Sequence, residues 1–188
     1  FFDSTCEVEF DESPPQKIDQ SALQTVIQIA LMCNASIFGN LIVMRKIIID
    51  GSNASGFQRT ALLATNGIIN LESKSIGVQS IVLEEDSARP IERTDAQVVY
   101  NLDRLGIPLV ELATEPELFS PQEVKEAALE IGKIFRLTGK VKRGLGSIRQ
   151  DINVSIREGE RVEIKGVQDL ENIDKFVQME VLRQVSLL

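Results

Sequence analysis

Residues 147–166, SIRQDINVSIREGERVEIKG, carry the pattern that decides the fold. Apolar and polar residues alternate along both halves of this stretch, and a period of two is typical of a β-strand with two different faces. The apolar members are Ile148, Ile152, Val154, Ile156, Val162 and Ile164. The Glu-Gly-Glu connection at 158–160 predicts a hairpin with a three-residue loop, in which Ser155 pairs with Glu163, because a two-residue loop would set polar residues opposite apolar ones.

The predicted register gathers polar side chains on one face of the two strands. They are Asp151, Asn153, Ser155, Glu163 and Lys165. An antiparallel sheet often has one solvated face, so these residues are either ordinary surface groups or one wall of a carboxylate-lined site. The second interpretation needs further acids from elsewhere in the chain.

Three consecutive acids, Glu84, Glu85 and Asp86, end an otherwise apolar strand. Adjacent like charges repel one another unless a cation or a substrate offsets them. Hard divalent cations prefer carboxylate oxygens and retain bound water, which suits a Mg²⁺ ion that also holds nucleotide phosphates. The pattern therefore indicates a magnesium site, although acids at the end of a strand are also common in ordinary turns.

Two further segments are candidates for phosphate binding. Arg104 precedes Gly106, and its planar guanidinium suits bidentate contact with phosphate; a structural ion pair with Asp103 or another nearby acid is the alternative. Residues 142–147, KRGLGS, place two cations beside two glycines that let backbone amides approach a ligand. This loop lacks the ordered ending of a Walker motif and is a weak signal by itself.

The remaining pattern predicts an α+β fold, a mainly antiparallel sheet flanked by helices. Predicted helices are capped at Asp19 and run to Asn34, are capped at Ser120 and run to Leu137, and begin near Asp169. Predicted strands cover 7–12, 41–50, 61–65, 67–72 and 77–86, with a loop at 51–60 and a hairpin turn at Asn66-Gly67.

Composition narrows the class of protein. With 188 residues, 43% hydrophobic and 26% charged, the sequence predicts one soluble globular domain, and no apolar run approaches the roughly 20 residues of a membrane span. Histidine is absent, which excludes the commonest general base and transition-metal ligand. Cys6 and Cys33 lack metal-ligand spacing, and with no signal peptide they indicate a reducing cytoplasm.

The net charge of -8 argues against broad attraction to a nucleic-acid backbone. RNA binding would have to be local. The basic cluster Lys140, Lys142, Arg143 and Arg149 is a candidate, and a solvated surface is the alternative.

Five blocks resemble, in order and spacing, the signature segments of the B/E family of tRNA-dependent amidotransferases, in its archaeal E-type form. They are DGSNASGFQRT (50–60), SIVLEEDSAR (80–89), YNLDRLGIPLVELATEPE (100–117), KVKRGLGSIRQDINVSI (140–156) and RVEIKGVQDL (161–170). Together with the segments between them they cover nearly the whole chain. The resemblance implies a catalytic cradle similar in fold to glutamine synthetase.

The resemblance also implies an activity, that of a carbon–nitrogen ligase in translation. The family uses ATP and Mg²⁺ to phosphorylate the glutamate side chain of Glu-tRNA(Gln). Ammonia from a partner glutaminase, the D-type component of the archaeal amidotransferase, then displaces the phosphate and leaves Gln-tRNA(Gln). This implies a cytoplasmic enzyme with no membrane partner.

Carried over by motif, the resemblance assigns candidate site residues. Glu84, Glu85 and Glu163 match acidic magnesium ligands, and Asp151 is the fourth candidate; these four are also the expected catalytic residues. The candidates for the ATP phosphates or the activated glutamate are Arg104, Arg143, Ser147 and Arg149. The candidates for the tRNA acceptor end are Ser55, Gly56, Phe57, Gln58 and Arg59.

One departure from the family pattern concerns the metal site. The family's catalytic domain begins with a strand carrying a Glu-x-His ligand pair, and this chain has neither that strand nor any histidine. The family's insertion domain and carboxy-terminal helical and tail domains are also missing. Residues 1–188 are therefore expected to form a single, incomplete catalytic domain that is inactive or nearly so in isolation.

Two other functions remain open. A glutamine-synthetase-like ligase acting on free carboxylic acids would have a similar carboxylate-lined sheet, and tRNA dependence of ATP turnover separates it from the family activity. A non-catalytic module that binds RNA or a partner is favoured if the acids face solvent and bind no metal.

Overall fold

The computed structural model describes Glu7, residues 12–14 and residues 16–188. Contacts divide the chain into two compact units: unit 1 is Phe1–Gly67 with Val78–Ala113, and unit 2 is Ile68–Gly77 with Thr114–Leu188. Cys6 and residues 8–11 of the strand predicted at 7–12 lie outside the described residues. The expectation of one incomplete catalytic domain stays a prediction.

The described residues form three α-helices and nine strands. The helices are α1 (Gln20–Met32), α2 (Pro121–Leu137) and α3 (Ile173–Val185), with a 3₁₀ turn at Leu170–Asn172. The strands are β1 (Ser36–Ile37), β2 (Val43–Ile47), β3 (Phe57–Asn70), β4 (Ser75–Glu85), β5 (Arg89–Arg93), β6 (Val98–Asn101), β7 (Pro108–Thr114), β8 (Gln150–Val154) and β9 (Val162–Val167). The predicted α+β class is confirmed; the glutamine-synthetase-like cradle stays a prediction.

The long strand β3 organises the main sheet, whose order is β1-β3-β4-β7. Strand β2 pairs antiparallel with the first part of β3, from Ile47 opposite Phe57 to Val43 opposite Ala61. Strand β1 pairs antiparallel with a later part, with Ser36 opposite Thr65. Two further antiparallel pairs, β5-β6 and β8-β9, complete the strands.

The predicted helix starts are confirmed by their caps. Asp19 Oδ1 accepts from Ala22 N at 2.7 Å, and Ser120 Oγ accepts from Glu123 N at 3.2 Å. Each cap satisfies an amide that has no partner within its helix. Asp169 instead caps the 3₁₀ turn, and α3 begins four residues later. None of the described helices is both long and apolar enough to cross a membrane.

The hairpin predicted at Asn66-Gly67 is wrong, and so is part of the loop predicted at 51–60. Strand β3 begins at Phe57 and continues through both residues to Asn70; the turn follows, where Leu71 N donates to Lys74 O at 2.7 Å. Gly67 is required for a different reason. A Cβ at this position would lie 3.1 Å from Ala35 Cβ and 3.2 Å from the Cys33 carbonyl oxygen.

The β8-β9 hairpin has the predicted faces but a different register. Asn153 lies opposite Glu163, so the predicted pairing of Ser155 with Glu163 is wrong, and the connection spans 155–161 rather than 158–160. The shift is two residues, which leaves each side chain on its predicted face. The cause is Gln184 of α3, whose Nε2 donates to Val154 O at 3.1 Å and whose Oε1 accepts from Ile156 N at 3.2 Å.

The apolar face of this hairpin forms the core of unit 2 with helices α2 and α3. The buried members are Ala128, Ile152, Val154, Val167, Ile173 and Val177. In unit 1 most of the buried residues come from α1 and from the main sheet, with Ile29, Ala64 and Ile81 fully excluded from solvent. Cys33 is buried there too, and burial raises the pKa of its thiol to about 11.

Candidate functional site

A buried carboxylate at the end of β4 is the centre of the candidate site in unit 1. Glu84 is only 7% exposed. Its Oε1 accepts from Thr60 Oγ1 at 2.6 Å, and its Oε2 accepts from Gln58 Nε2 at 3.3 Å. Charged side chains are rarely buried without hydrogen-bonding partners, so these two donors on β3 are what hold Glu84 in one orientation.

The adjacent acid, Glu85, has a partner of opposite charge. Its Oε1 accepts from Arg59 Nε at 2.8 Å and from Arg59 Nη2. Because side chains alternate along a strand, Gln58 and Thr60 reach Glu84 while Arg59, between them, reaches Glu85. The guanidinium also donates to the Gln16 carbonyl. Its positive charge beside Glu85 offsets part of the repulsion between the adjacent acids.

A cavity of about 340 Å³ lies beside these residues within unit 1. Its lining includes Arg59, Thr60, Glu84 and Glu85, together with residues 16–19. This volume falls within the range of small-ligand sites. The lining thus contains the carboxylates of Asp19, Glu84 and Glu85 and the cations Lys17 and Arg59, beside a space large enough for a small polar substrate.

The residues that follow β4 fix the neighbouring loop 50–56. Ser87 Oγ donates to Asn53 Oδ1 at 2.8 Å, and Ala88 N donates to Ser52 O at 2.8 Å. Ser52 and Asn53 are both buried. The pKa of Asp50 lies below its usual value because the Ser52 hydroxyl and amide donate to the carboxylate. Loop 50–56 is thus anchored at the end of β4.

Two of the predicted tRNA-contact residues lie at the end of this loop. Gly56 has φ 75°, a conformation that favours glycine, and Ser55 Oγ donates to Phe57 O at 3.3 Å. Phe57 itself packs under the Arg45 guanidinium, 5.5 Å from its ring centre. The other two, Gln58 and Arg59, are bonded to the acids of β4.

Arg104 lies beside an acid, as the structural alternative to a phosphate clamp predicted. The acid is Asp86 and not Asp103. Arg104 Nε donates to Ser87 O at 2.9 Å and lies 3.8 Å from Asp86 Oδ1. Asp103 instead faces Arg89, with 3.6 Å between Arg89 Nη2 and Asp103 Oδ2. The phosphate role of Arg104 stays a prediction.

The acids predicted from the hairpin are exposed on the polar face of β8-β9 in unit 2. Asp151 Oδ1 accepts from Gly166 N at 2.7 Å, where the register shifts between Gln150 and Ile152. Glu163 Oε2 lies 3.3 Å from Lys165 Nζ. An exposed ion pair of this kind contributes little to stability.

The remaining predicted residues lie in the segment before β8. Arg143 and Ser147 line a second cavity, of about 260 Å³, at the end of α2 in unit 2. Gly144 and Gly146 between them have φ 107° and 79°. Arg149 directly precedes β8 and is exposed. Arg136, which the sequence reasoning did not select, lines the same cavity.

The structure therefore brings Glu84 and Glu85 together with Gln58 and Arg59 in unit 1, whereas Asp151 and Glu163 belong to unit 2. Among the described residues, no group of three or more His, Cys, Asp or Glu side chains is placed to hold a metal ion. The four-carboxylate metal site stays a prediction.

The donor set at Glu84 and Glu85 is nevertheless compatible with Mg²⁺. This ion is usually held by one or two carboxylates, with water and substrate phosphates completing an octahedral shell. Glu85 uses only Oε1 for Arg59, and both acids line the cavity. Thr60 was the missed residue here, and reading FQRT as strand instead of loop would have placed it on one face with Gln58.

Comparison with known proteins assigns the chain to a family. The family model described as "GatB/GatE catalytic domain" matches residues 4–188. The glutamyl-tRNA(Gln) amidotransferase E subunit of Archaeoglobus fulgidus is 55% identical over 188 residues, all of this chain and 31% of the relative. The corresponding E subunits of Methanocaldococcus jannaschii and Natronomonas pharaonis are 55% and 54% identical, over 99% and 100% of this chain and 30% of each relative.

The chain spans about three tenths of the length of these relatives. The match nevertheless runs through the strands that carry Glu84 and Glu85 and through the β8-β9 hairpin. The chain belongs to the GatB/GatE catalytic domain family.

Proposed function

We propose that this chain forms the part of a tRNA-dependent amidotransferase that activates the glutamate of Glu-tRNA(Gln) with ATP and Mg²⁺. The enzyme is then a carbon–nitrogen ligase of the cytoplasmic translation machinery. Ammonia comes from a partner glutaminase, the D-type component of the archaeal enzymes.

The observation that supports this activity best is the pair of adjacent carboxylates, Glu84 and Glu85, at a cavity of about 340 Å³. Glu84 is buried and oriented by Thr60 and Gln58, and Glu85 is held by Arg59. Oriented carboxylates beside a small-ligand cavity are the arrangement that phosphoryl transfer requires for holding a metal–nucleotide complex.

The proposed reaction has two steps. The side-chain carboxylate of the tRNA-bound glutamate attacks the terminal phosphorus of ATP, which gives an acyl phosphate and ADP. Ammonia then attacks the acyl carbon, and inorganic phosphate leaves with the electrons of the broken carbon–oxygen bond. Mg²⁺ supplies charge neutralisation at the phosphate oxygens when it is bound. Glu84 and Glu85 would hold the Mg²⁺ ion, with Asp151 and Glu163 as further candidate ligands.

The basic and neutral polar side chains take two different roles in this proposal. Arg59 and Gln58 position the acids of β4, since their side chains already bond to those acids. Arg104, Ser147 and Arg149, with Arg143 as a further candidate, contact the ATP phosphates or the activated glutamate. Ser55, Gly56 and Phe57 lie in and after the anchored loop and receive the acceptor end of the tRNA.

Phosphate release by the assembled enzyme that contains this chain tests the proposal. Release is measured with and without Glu-tRNA(Gln), for wild type and for Glu84→Gln, Glu85→Gln and Glu163→Gln. We expect release to require the charged tRNA and to fall by about two orders of magnitude in Glu84→Gln, within the range for one lost electrostatic stabiliser.

Glu92→Gln is the matched control, because Glu92 is an exposed acid of β5 in the same unit. It should keep wild-type release. Release that ignores the tRNA would favour a ligase for free carboxylic acids. Wild-type rates in all three test variants would reject the metal-site residues, and absence of any ATP turnover in the assembled enzyme would favour a non-catalytic RNA-binding module.

A further inference from the structure

The segment 131–150 is the most basic stretch of an otherwise acidic chain. It contains six cations and no acid, whereas the whole sequence has 28 acidic and 20 basic residues. The six are Lys133, Arg136, Lys140, Lys142, Arg143 and Arg149. The chain's net charge of -8 gives no general attraction for polyanions, so a local concentration of positive charge points to a local anionic partner.

Most of these cations are not used inside the protein. Lys133 is paired with Glu130, with 3.1 Å between Nζ and Oε2. Arg136, Lys140, Lys142 and Arg143 are all exposed, and none forms an ion pair within the described part of the chain. An ordinary solvated surface intersperses both signs of charge. Here the charge is left uncompensated.

Three of the six cations lie at a concave surface. Arg136 and Lys142 both line the cavity of about 260 Å³ at the end of α2. The Arg136 guanidinium folds back along the helix onto Gly132, where a Cβ would lie 3.2 Å from Nη1. The absence of a side chain at Gly132 therefore lets this guanidinium lie against the helix at the cavity.

The loop beside the cavity has the backbone freedom to approach a ligand. Gly144 and Gly146 have φ 107° and 79°, in the region that favours glycine, and Ser147 N donates to Gly144 O at 3.2 Å to close the turn. Leu145, between the two glycines, is 91% exposed. The loop thus presents an apolar tip, and the cations Lys142 and Arg143 directly precede it in the sequence.

We propose that Arg136, Lys140 and Lys142, with the loop tip at residues 144–146, bind backbone phosphates of the RNA substrate. This inference rests on the proposed function, which supplies an RNA partner. The lining of this cavity contains no acid that would repel a polyanion. RNA backbone phosphates are bound directly by Lys and Arg, and an unstacked base is accepted by an exposed apolar group such as Leu145.

The test is equilibrium binding of unacylated tRNA(Gln) to the assembled enzyme without ATP, over a range of salt concentrations. Each lost phosphate contact should lower the slope of log K against log salt by about 1. For the double variant Arg136→Ala, Lys142→Ala we expect a slope lower by about 2 and an affinity about tenfold weaker at low salt. The KM for ATP should not change. Arg136→Lys keeps the charge and should retain most of the slope.

The matched control is Arg157→Ala with Arg161→Ala, which removes the same charge from exposed positions in the 155–161 connection of unit 2. An equal effect of the control pair would show a general charge effect and overturn the proposal. So would unchanged RNA binding, or a higher KM for ATP with normal RNA binding. If wild type shows tRNA-dependent phosphate release and the double variant binds RNA as well as wild type does, this inference fails while the proposed function stands. If wild type binds no tRNA, both fail.

Discussion

Thr60 donates its hydroxyl hydrogen to Oε1 of Glu84 over 2.6 Å, and this bond joins the neighbouring strands β3 and β4 at the candidate site. Gln58, two residues earlier on the same strand, donates to the other carboxylate oxygen. A buried carboxylate that accepts two hydrogen bonds is fixed in orientation before any ligand binds. Such preorganisation is a property expected of a site that must hold a charged substrate complex.

We predict that Thr60→Val destabilises the protein, because valine keeps the shape of threonine but leaves Glu84 Oε1 without its donor. The free energy of unfolding should fall by about 1–3 kcal/mol, the cost of an unsatisfied buried acceptor. Urea denaturation measures it. Thr60→Ser keeps the hydroxyl and is the control, and a valine variant as stable as wild type would mean that the hydrogen bond has no net value.

Gly67 gives a second prediction, about packing between β3 and the segment after α1. A Cβ at Gly67 would lie 3.0 Å from Val78 Cβ and 3.2 Å from the Cys33 carbonyl oxygen, and neither neighbour is the end of a flexible side chain. Gly67→Ala should therefore cost about 1–3 kcal/mol through overpacking.

Gly39→Ala is the comparison for Gly67→Ala, since nothing lies within 4 Å of a Cβ at Gly39. It should leave the unfolding midpoint close to that of wild type. Equal midpoints for the two alanine variants would show that β3 relaxes freely at Gly67.

These residues also show where the sequence was sufficient. Caps are local, so Asp19 and Ser120 predicted the starts of α1 and α2 correctly. The Asn66-Gly67 pair predicted a turn because that dipeptide usually forms one. In the protein, Gly67 is required because a side chain there would lie too close to the Cys33 carbonyl oxygen. A contact between residues 34 positions apart is not visible in a local pattern.

The site divides in the same way. Consecutive acids are a local signal, and Glu84 and Glu85 were selected as candidates from it. Their partners Thr60 and Arg59 depend on which strand lies beside β4, and the glycine-rich start of that segment favoured a loop. The hairpin faces followed from alternation, whereas its register depends on Gln184, some 30 residues from Val154.

Gln184 gives the third prediction. It is 5% exposed and serves both a carbonyl and an amide at the end of β8, in place of a strand partner. Gln184→Ala leaves both groups unpaired and should lower the free energy of unfolding by about 1–3 kcal/mol or more. Hydrogen exchange should show faster opening at Ile156.

Gln178→Ala is the control for Gln184→Ala, because Gln178 is an exposed residue of the same helix. It should change neither the unfolding free energy nor the exchange rate at Ile156. Protection of Ile156 that survives in Gln184→Ala would contradict the assigned cause of the hairpin register.

The last prediction concerns acid stability and Glu180, which lies one turn before Gln184 on α3. Glu180 accepts from Arg183 Nε and Nη2 at 2.8 Å each and from Gln184 Nε2 at 2.8 Å. These bonds, first those of Arg183, lower the pKa of Glu180 from 4.5 to about 2. The stabilisation they give is complete above pH 4.5 and is lost as the pH falls towards about 2, because the unfolded chain binds the proton first.

Glu180→Gln should therefore flatten the fall in stability across this acid window. Urea midpoints measured at a series of pH values from about 7 down to about 2 show it, with Glu158→Gln, an exposed acid of the 155–161 connection, as the control that keeps the wild-type slope. Glutamine at position 180 retains an acceptor for Gln184, so the bonds of Gln184 to Val154 and Ile156 are kept. The change in the pH dependence of stability then reports the loss of the charge alone. A slope equal to that of wild type would mean that Arg183 does not hold Glu180 ionised in the folded protein.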